Sequence, residues 1–365
     1  MSANSPRLSV VIPVCNEQNW IDRCVDALSA SARAADWPIE LVVVDDGSTD
    51  ATPEKLATLG KRYDIAVLSQ ANAGRFAARA AGLAKASGEW VLLLDSRVIV
   101  DIGSLSFLQE QLKESPDRMV WNGHIAVASE HNPYAGFMAG LVKIGWRRYF
   151  SDPRLTSFGI DDFDSYPKGT TLFCAPKELL EASVAAFSSL FEDTRLSSDD
   201  TRMLRWIAER RRINLSPEFS ATYHGRDSLK KFAAQSFFRG TTYVDSYLAS
   251  PGPARNAMFG ALAVGVAGLG FAAKRPKTTV AAGVAGAVAA GAVVKRCGGT
   301  TAEARAVTTL LPLFATGFAA GLLRGLFLAL RARSRRGPLG ATLVALNANA
   351  AAAIRMAPRE REPHP

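Results

Sequence analysis

Several side chains in this 365-residue chain have the types and spacing that chemistry requires. Asp45 and Asp46 end the apolar run L-V-V-V-D-D, and Asp95 ends V-L-L-L-D-S-R. Asp199 and Asp200 open a helical pattern, S-S-D-D-T-R-M-L-R-W-I. A carboxylate at the tip of a buried strand can accept the imide or exocyclic N–H of a base, or approach a cation that bridges a diphosphate. Arg75 and Arg79 lie four apart on one helical face, where guanidiniums reach phosphate oxygens or a solvated surface. Arg97 stands two residues after Asp95, where a diphosphate-bound metal would call for a second acid. A guanidinium is always protonated and cannot ligate a cation. The D-S-R segment is therefore a metal site short of a ligand, a site that uses arginine instead, or no site at all.

The elements that must position these groups are legible from periodicity. L-S-V-V-I-P-V (8–14), L-V-V-V-D (41–45), I-A-V-L (65–68), V-L-L-L-D (91–95) and M-V-W-N (119–122) are short branched apolar runs, suited to strands buried on both faces. Helical patterns lie between them around 19–34, 51–62, 73–86 and 103–113, which predicts an α/β fold with a mostly parallel sheet. Ligands of such sheets sit beyond the carboxyl ends of the strands, where Asp45, Asp46 and Asp95 fall. A less regular stretch spans 126–198, with a strand expected at T-L-F-C-A. A strand-like I-N-L-S-P-E-F-S-A-T-Y-H and an amphipathic helix from Ser228 to Leu248 follow the acidic pair.

Charge divides the chain. Residues 1–250 carry 28 Lys and Arg against 31 Asp and Glu, and the remainder carries 15 against 3. The mildly acidic front argues against nucleic acid as a partner. The basic remainder, interleaved with apolar runs, suggests an anionic membrane surface. Ala257–Ala273 and Thr278–Val294 are uncharged and separated by K-R-P-K, each near the lower length limit for a span. Gly283, Ala287 and Gly291 give a small-residue spacing that lets helices approach closely. Ala306–Leu323 is a third candidate, able to cross the bilayer or to lie along its interface with the basic run that follows. A soluble helical hairpin is the alternative for these segments. Cys15, Cys24, Cys174 and Cys297 lack zinc spacing and fit a reducing compartment. M-S-A-N-S-P-R leads into a strand without a signal-peptide core, so the front half is expected to face the cytoplasm.

Taken in order, V-V-I-P-V-C-N-E, V-V-V-D-D-G-S-T-D, N-A-G-R-F-A-A-R-A-A-G and L-L-L-D-S-R resemble the family 2 inverting glycosyltransferases of the GT-A fold, over roughly residues 8–240. The resemblance implies a nucleotide-diphosphate sugar donor. Pro13, Cys15 and Glu17 would lie in the first loop of the nucleotide pocket, and Asp45 at the base. The D-x-D motif of the family falls on Asp95, Ser96 and Arg97. It implies Mg²⁺ or Mn²⁺, and here either Asp95 holds a weaker site with help from His224, or Arg97 supplies the positive charge, or Arg97 turns away into a salt bridge. Asp199-Asp200 match the acidic pair whose second member is the general base; the alternative is a pair that complements the helix dipole. K-G-T-T-L-F-C-A resembles the acceptor loop, implicating Gly169 with Asp162 and Asp164. Q-S-F-F-R-G matches the Q-x-x-R element of membrane-associated members through Gln235 and Arg239. Gly240 stands where the processive synthases carry Trp, so addition of a single sugar is expected.

These readings predict a GT-A domain (1–226), an interface helix (227–250), membrane-spanning helices (251–330) and a basic tail (331–365). The function expected is transfer of one sugar to a lipid-linked or cell-envelope acceptor by a multi-pass protein of the cell membrane. The rival from another class is a non-catalytic membrane scaffold with a degenerate GT-A domain.

Overall fold

The structure, a computed structural model, describes residues 7–250 and 252–356. The branched apolar runs form β1 (Leu8–Val14), β2 (Ile39–Asp46), β3 (Ile65–Gln70) and β4 (Trp90–Leu94), all paired in parallel. Between them run α1 (Ile21–Ala34), α2 (Thr52–Leu59) and α3 (Arg75–Lys85). Alternate residues of β1 feed opposite layers. Val10 and Ile12 pack with α1 residues such as Cys24 and Leu28, whereas Val11 packs with Ala78 and Leu83 of α3.

The chain then adds β5 (Val98–Val100), α4 (Ser104–Glu114) and β6 (Trp121–Val127), the last beginning two residues later than its apolar run. The stretch that looked irregular from 126 to 198 contains α5 (Pro133–Gly145), α6 (Arg147–Phe150), β7 (Thr156–Phe158), β8 (Leu172–Pro176) and α7 (Lys177–Ala185). The acidic pair opens α8 (Asp199–Ala208), and β9 (Ile213–Tyr223) completes the sheet. Strand order is β3-β2-β1-β4-β8-β6-β9-β5, with β7 also on β9. β8 runs antiparallel to β4, so beyond β4 the sheet is mixed. The carboxyl ends of β1, β2 and β4 share one rim, and Asp46 and Asp95 stand on it.

The expected amphipathic helix is α9 (Leu229–Tyr247), capped by Ser228, whose Oγ accepts the Lys231 N–H. After it come α10 (Pro253–Lys274), α11 (Pro276–Arg296) and α12 (Thr301–Met356). Among the described residues these three are long and apolar enough to cross a membrane, and Phe259, Val264, Phe271, Val280, Val284 and Val288 lie exposed on the first two. Thr300 and Glu303 form a reciprocal capping box at the start of α12. Lys143 of α5 pairs with Glu303 at 2.7 Å.

Of the small-residue stripe, Ala287 and Gly291 are buried, Gly291 against Ala304 and Thr308 of α12, while a Cβ on Gly283 would meet none of the described residues. The third candidate span, Ala306–Leu323, packs in its lower half on α5 and then runs beside α9 with Gly317 near Ser236 and Gly321 near Gly240. α12 continues without a break through 330–331; residues 357–365 of the expected tail lie outside the described residues.

Candidate active site

The first loop and the D-G-S-T-D turn are stitched together by side-chain caps. Asn16 Oδ1 accepts the Thr49 and Asp50 N–H groups, and Glu17 N–H donates to Thr52 Oγ1 at 2.9 Å. Asp50 serves the start of α2 by accepting the Thr52 N–H at 2.9 Å. Burial alone would raise its pKa, but the Thr52 bonds overcome this and hold it low. Gly47 has φ of 71°, and a Cβ there would lie 2.8 Å from the Asn72 nitrogen, so the turn requires glycine. Asp46 then gathers the N-A-G loop, accepting from Gln70 Nε2 (2.7 Å), Ala73 N (2.8 Å) and Gly74 N (2.9 Å).

This rim encloses a cleft of about 210 Å³ lined by Pro13, Cys15, Glu17, Asp46, Asp95, Ser96, Arg97, Arg75 and Arg226. The structure thus brings Pro13, Cys15, Glu17, Arg75, Asp95, Ser96 and Arg97 together around one cleft. Asp45 is not among the lining residues. It is buried, and its Oδ1 accepts the Ser48 N–H at 3.0 Å within the turn; Asp46 occupies the wall instead.

Arg97 forms an ion pair. Its Nε donates to Glu17 Oε1 at 2.8 Å, its guanidinium lies over the Trp20 ring, and Arg226 reaches the same Glu17 oxygen at 3.6 Å. Glu17 Oε2 is buried without a hydrogen-bond partner among the described residues. His224 stacks on Trp20 with centroids 4.4 Å apart; burial, then Arg23 and Arg97, lower its pKa. A cation on that ring would sit beside two guanidiniums. Among the described residues no three His, Cys, Asp or Glu side chains gather as a metal-ligand group. Glu17, Asp46 and Asp95 are each met by protein donors. This donor set does not fit a dication held by two carboxylates.

A second cleft, of about 270 Å³, continues from the first through Arg75, Asp95 and Tyr223 and contains Asn122, Gly169, Lys168, Asp200, Gln235 and Arg239. Arg79 forms part of its floor, lining the cleft while only 2 % exposed, and is not on a solvated surface. Its Nη2 is 2.8 Å from Asp95 Oδ1, and its Nη1 donates to Asp199 Oδ2. Burial opposes the charge of Arg79, but Asp199 and Asp95 more than compensate and raise its pKa. For Asp199 burial acts upward, and Arg79 with Arg75 overcomes it, so the carboxyl titrates below the usual range.

The acidic pair is therefore split by function of place. Asp199 is turned inward and 1 % exposed, which removes it from the catalytic role expected alongside its neighbour. Asp200 lines the cleft, with Oδ1 accepting the Thr201 N–H at 2.7 Å.

A third cleft, of about 380 Å³, shares Met138, Val142, Trp146, Lys168, Asp200 and Arg239 with the second and ends at Phe314 and Phe318 of α12. Arg239 presents surface to this cleft while ringed by protein, and desolvation lowers its pKa. Lys168 donates to the Phe163 carbonyl at 2.7 Å, and burial, opposed by Asp164, brings its pKa down to about 8. Of the acceptor residues expected from the sequence, Gly169 faces the second cleft, its N–H donating to Asn122 Oδ1 at 3.2 Å. Asp162 and Asp164 do not line these clefts. Asp162 accepts the Gly159 N–H inside a turn, and Asp164 pairs with Arg205 and Lys168.

Sequence reasoning passed over Lys168 and Arg226, though each stands inside a motif singled out for a neighbour, K-G-T-T for Gly169 and Y-H-G-R-D for His224. The apolar wall from α5 and α12 had no local signal, because helix packing alone creates it.

Comparison with known proteins places this geometry. Residues 9–167 match the model of the family described as Glycosyl transferase family 2. The undecaprenyl-phosphate 4-deoxy-4-formamido-L-arabinose transferases of Yersinia pestis (strain Pestoides F) and Yersinia pseudotuberculosis serotype I (strain IP32953) are each 36 % identical to the chain over 101 residues. That match covers 26 % of this chain and 31 % of each relative, so under a third of the relatives' length is spanned. Among solved structures, the mannosyltransferase PcManGT from Pyrobaculum calidifontis, in complex with GDP-Man and Mn²⁺, shares the fold at 18 % identity and a TM-score of 0.52, over 89 % of this chain and 88 % of that one. S. aureus TarS 1-349 in complex with UDP-GlcNAc aligns at 16 % identity and a TM-score of 0.48, over 87 % of this chain and 89 % of that one. Asp199, Asp200, Gln235 and Arg239 lie beyond the matched stretch and rest on the geometry of the clefts. Residues 9–167 of this chain thus match the family 2 glycosyltransferases, within a GT-A fold that runs on into long apolar helices.

Proposed function

We propose that the protein moves one sugar, with inversion, from a nucleotide-diphosphate donor to a lipid-linked acceptor of the polyprenyl phosphate class at a membrane. The observation that carries this reading is the continuity of the three clefts. A polar mouth at Asp95 and Arg75 leads past Asp200 and Arg239 to an apolar wall made by Met138, Leu141, Phe314 and Phe318. A nucleotide suits the mouth, and a phosphate with a hydrocarbon chain suits the far end, with its head beside Lys168 and Arg239. The activity for which the Yersinia relatives are named, transfer to undecaprenyl phosphate, agrees in class.

In the reaction the acceptor oxygen attacks the anomeric carbon from the face opposite the diphosphate. The new C–O bond forms as the bond to the diphosphate breaks, and the leaving oxygen takes the electron pair. With a hydroxyl acceptor, Asp200 receives the proton; with a phosphate acceptor the nucleophile is already anionic and Asp200 orients it. Asp199 and Arg79 fix the helix that carries Asp200. Arg75, half exposed between the first two clefts, faces the developing charge on the diphosphate. The Mg²⁺ or Mn²⁺ expected at Asp95 enters none of these steps, because the carboxylates there are already met by protein donors. The exposed apolar faces of α10 and α11 support a protein that crosses the membrane.

The test uses the full chain in lipid nanodiscs, with radiolabelled UDP- and GDP-sugars and undecaprenyl phosphate. Lipid-extractable label is expected to depend on the added lipid and to fall by roughly 10²-fold in Asp200→Asn, because the acceptor phosphate loses the group that orients it. Donor binding without transfer to any acceptor, unchanged in Asp200→Asn, would support a scaffold instead.

A further inference from the structure

The first cleft has an unusual charge balance. Its three carboxylates are all engaged: Asp46 by three N–H donors, Asp95 by Arg79, and Glu17 by Arg97 at 2.8 Å. A dication entering here would have to compete with Arg79 for Asp95 and with Arg97 for Glu17, and both cations oppose its charge. Three guanidiniums line the same cleft. Arg97 is buried, fixed by Glu17 and by the Trp20 ring. Arg75 and Arg226 are 51 % and 37 % exposed at their side chains, and their carboxylate contacts are long, 3.8 and 3.6 Å. Their positive charge is mostly unspent. The backbone of Arg226 is fixed from α5, where the cap residue Asn132 donates to its carbonyl at 3.0 Å. Glu17 adds a second, independent sign of a ligand: it is 7 % exposed, and its buried Oε2 has no partner among the described residues. An O–H or N–H donor on an incoming molecule would complete it.

We propose that Arg75, Arg97 and Arg226 bind the diphosphate of the donor in place of a divalent cation, with Glu17 taking a hydroxyl or N–H of the nucleoside. The inference rests on the nucleotide-sugar reading above and specifies how that site holds charge. A guanidinium presents parallel N–H donors to two phosphate oxygens and stays protonated throughout, so it meets the electron pair that the diphosphate retains when the glycosidic bond breaks. Glu17 keeps Arg97 from folding back on Asp95, two residues away, and this leaves Asp95 to Arg79. The substitution of arginine for the last acid of D-x-D thus comes with a matching carboxylate at position 17 and a second cation at position 226.

The experiment is a calorimetric titration of the full chain in detergent micelles with UDP, UMP, GDP and GMP, each in EDTA and in Mn²⁺. At least one diphosphate is expected to bind with the same Kd, within about twofold, in both buffers. Arg226→Gln and Arg75→Gln are expected to cut the preference for diphosphate over monophosphate by about tenfold, the loss of one charge-assisted pair. Arg75 is exposed and Arg226 half-buried outside the apolar core, so both variants are expected to fold. Arg97→Gln, which disturbs a buried pair, is compared with Glu17→Gln/Arg97→Gln after thermal melting, and both are expected to lose the same preference. Binding that falls tenfold in EDTA and returns with Mn²⁺, or a preference unchanged in Arg226→Gln, overturns the proposal while leaving the transferase reading intact. Failure of every nucleotide to bind in either buffer overturns that reading and the proposal with it.

Discussion

Arg79 Nη2 lies 2.8 Å from Asp95 Oδ1 at the tip of β4, and the other arm of the same guanidinium holds Asp199 at the start of α8. One buried cation therefore joins the strand that reaches the nucleotide cleft to the helix that delivers Asp200. Removing it would leave two carboxylates facing each other, one of them wholly buried. Arg79→Met is expected to destabilise the protein by about 3–5 kcal/mol, the cost of breaking a buried ion pair from one side. Arg79→Lys recovers little, since an ammonium cannot span both acids in the planar geometry of a guanidinium. Thermal melting of both variants checks this, and a melt like that of the parent would remove Arg79 from its positioning role.

The two neighbouring acids should separate cleanly. Asp199 has its carboxyl pKa depressed in the folded protein against about 3.9 in an unfolded chain. Its stabilisation is therefore present at neutral pH and is lost as pH falls through the folded value, because the unfolded chain takes up the proton first. Asp199→Asn is expected to melt lower than the parent at pH 7, with the difference shrinking in acid. Asp200→Asn is expected to melt with the parent and to lose transfer. Melting curves from pH 3 to 7, beside lipid-extractable product, distinguish the two.

Sequence patterns revealed the half of the site that is built locally. β1, β2 and β4 are buried on both faces, so they read as unbroken apolar runs, and their tips carried Asp46 and Asp95 to the rim. The role of Asp199 was hidden because its partner Arg79 is 120 residues away. Arg79 and Arg75 share a helical face in the sequence, and only packing decides that one is buried in the floor of the second cleft and the other stands half exposed at its edge. α5 was invisible for a related reason. P-Y-A-G-F-M-A-G-L-V-K-I-G is apolar nearly all round, since it is clasped by α9, α11 and α12, and so it lacks the alternation that marks a surface helix.

Lys168 gives the site a pH response. Its ammonium sits among Asp164, Arg205 and Asp200 and over the Phe163 ring, and burial brings its pKa down to about 8. If the cation attracts the acceptor phosphate, kcat/KM for the lipid is expected to decline above pH 8 as the proton leaves. Lys168→Gln is expected to be slow at every pH and to lack that decline. Stability should move in the other direction. An unfolded lysine titrates near 10.4, so between about pH 8 and 10 the unfolded chain binds more protons, and the parent gains stability with pH relative to Lys168→Gln. Rate profiles and melts over pH 6.5–10 test both signs together.

The crossing of α9 and α12 should control the acceptor more than the donor. Gly240 and Gly321 face each other so closely that a Cβ on Gly321 would collide with the Phe237 carbonyl, and one on Gly240 with that of Phe318. Thr241 Oγ1 donates to the Gly321 carbonyl at 3.2 Å across the same contact. Gly321→Val must push the helices apart, and this displaces Arg239 on α9 from Phe314 and Phe318 on α12, which share the third cleft. The donor cleft is built mainly at the ends of β1, β2 and β4, and its Arg226 is held by Asn132 at the start of α5, so it is expected to feel the shift less. KM for the lipid acceptor is therefore expected to rise severalfold in Gly321→Val, while the Kd for nucleoside diphosphate stays within about twofold of the parent. Steady-state kinetics with varied lipid, paired with nucleotide titration, measures the two effects separately. Equal losses in both would mean that α12 supports the whole domain rather than the acceptor end of the cleft.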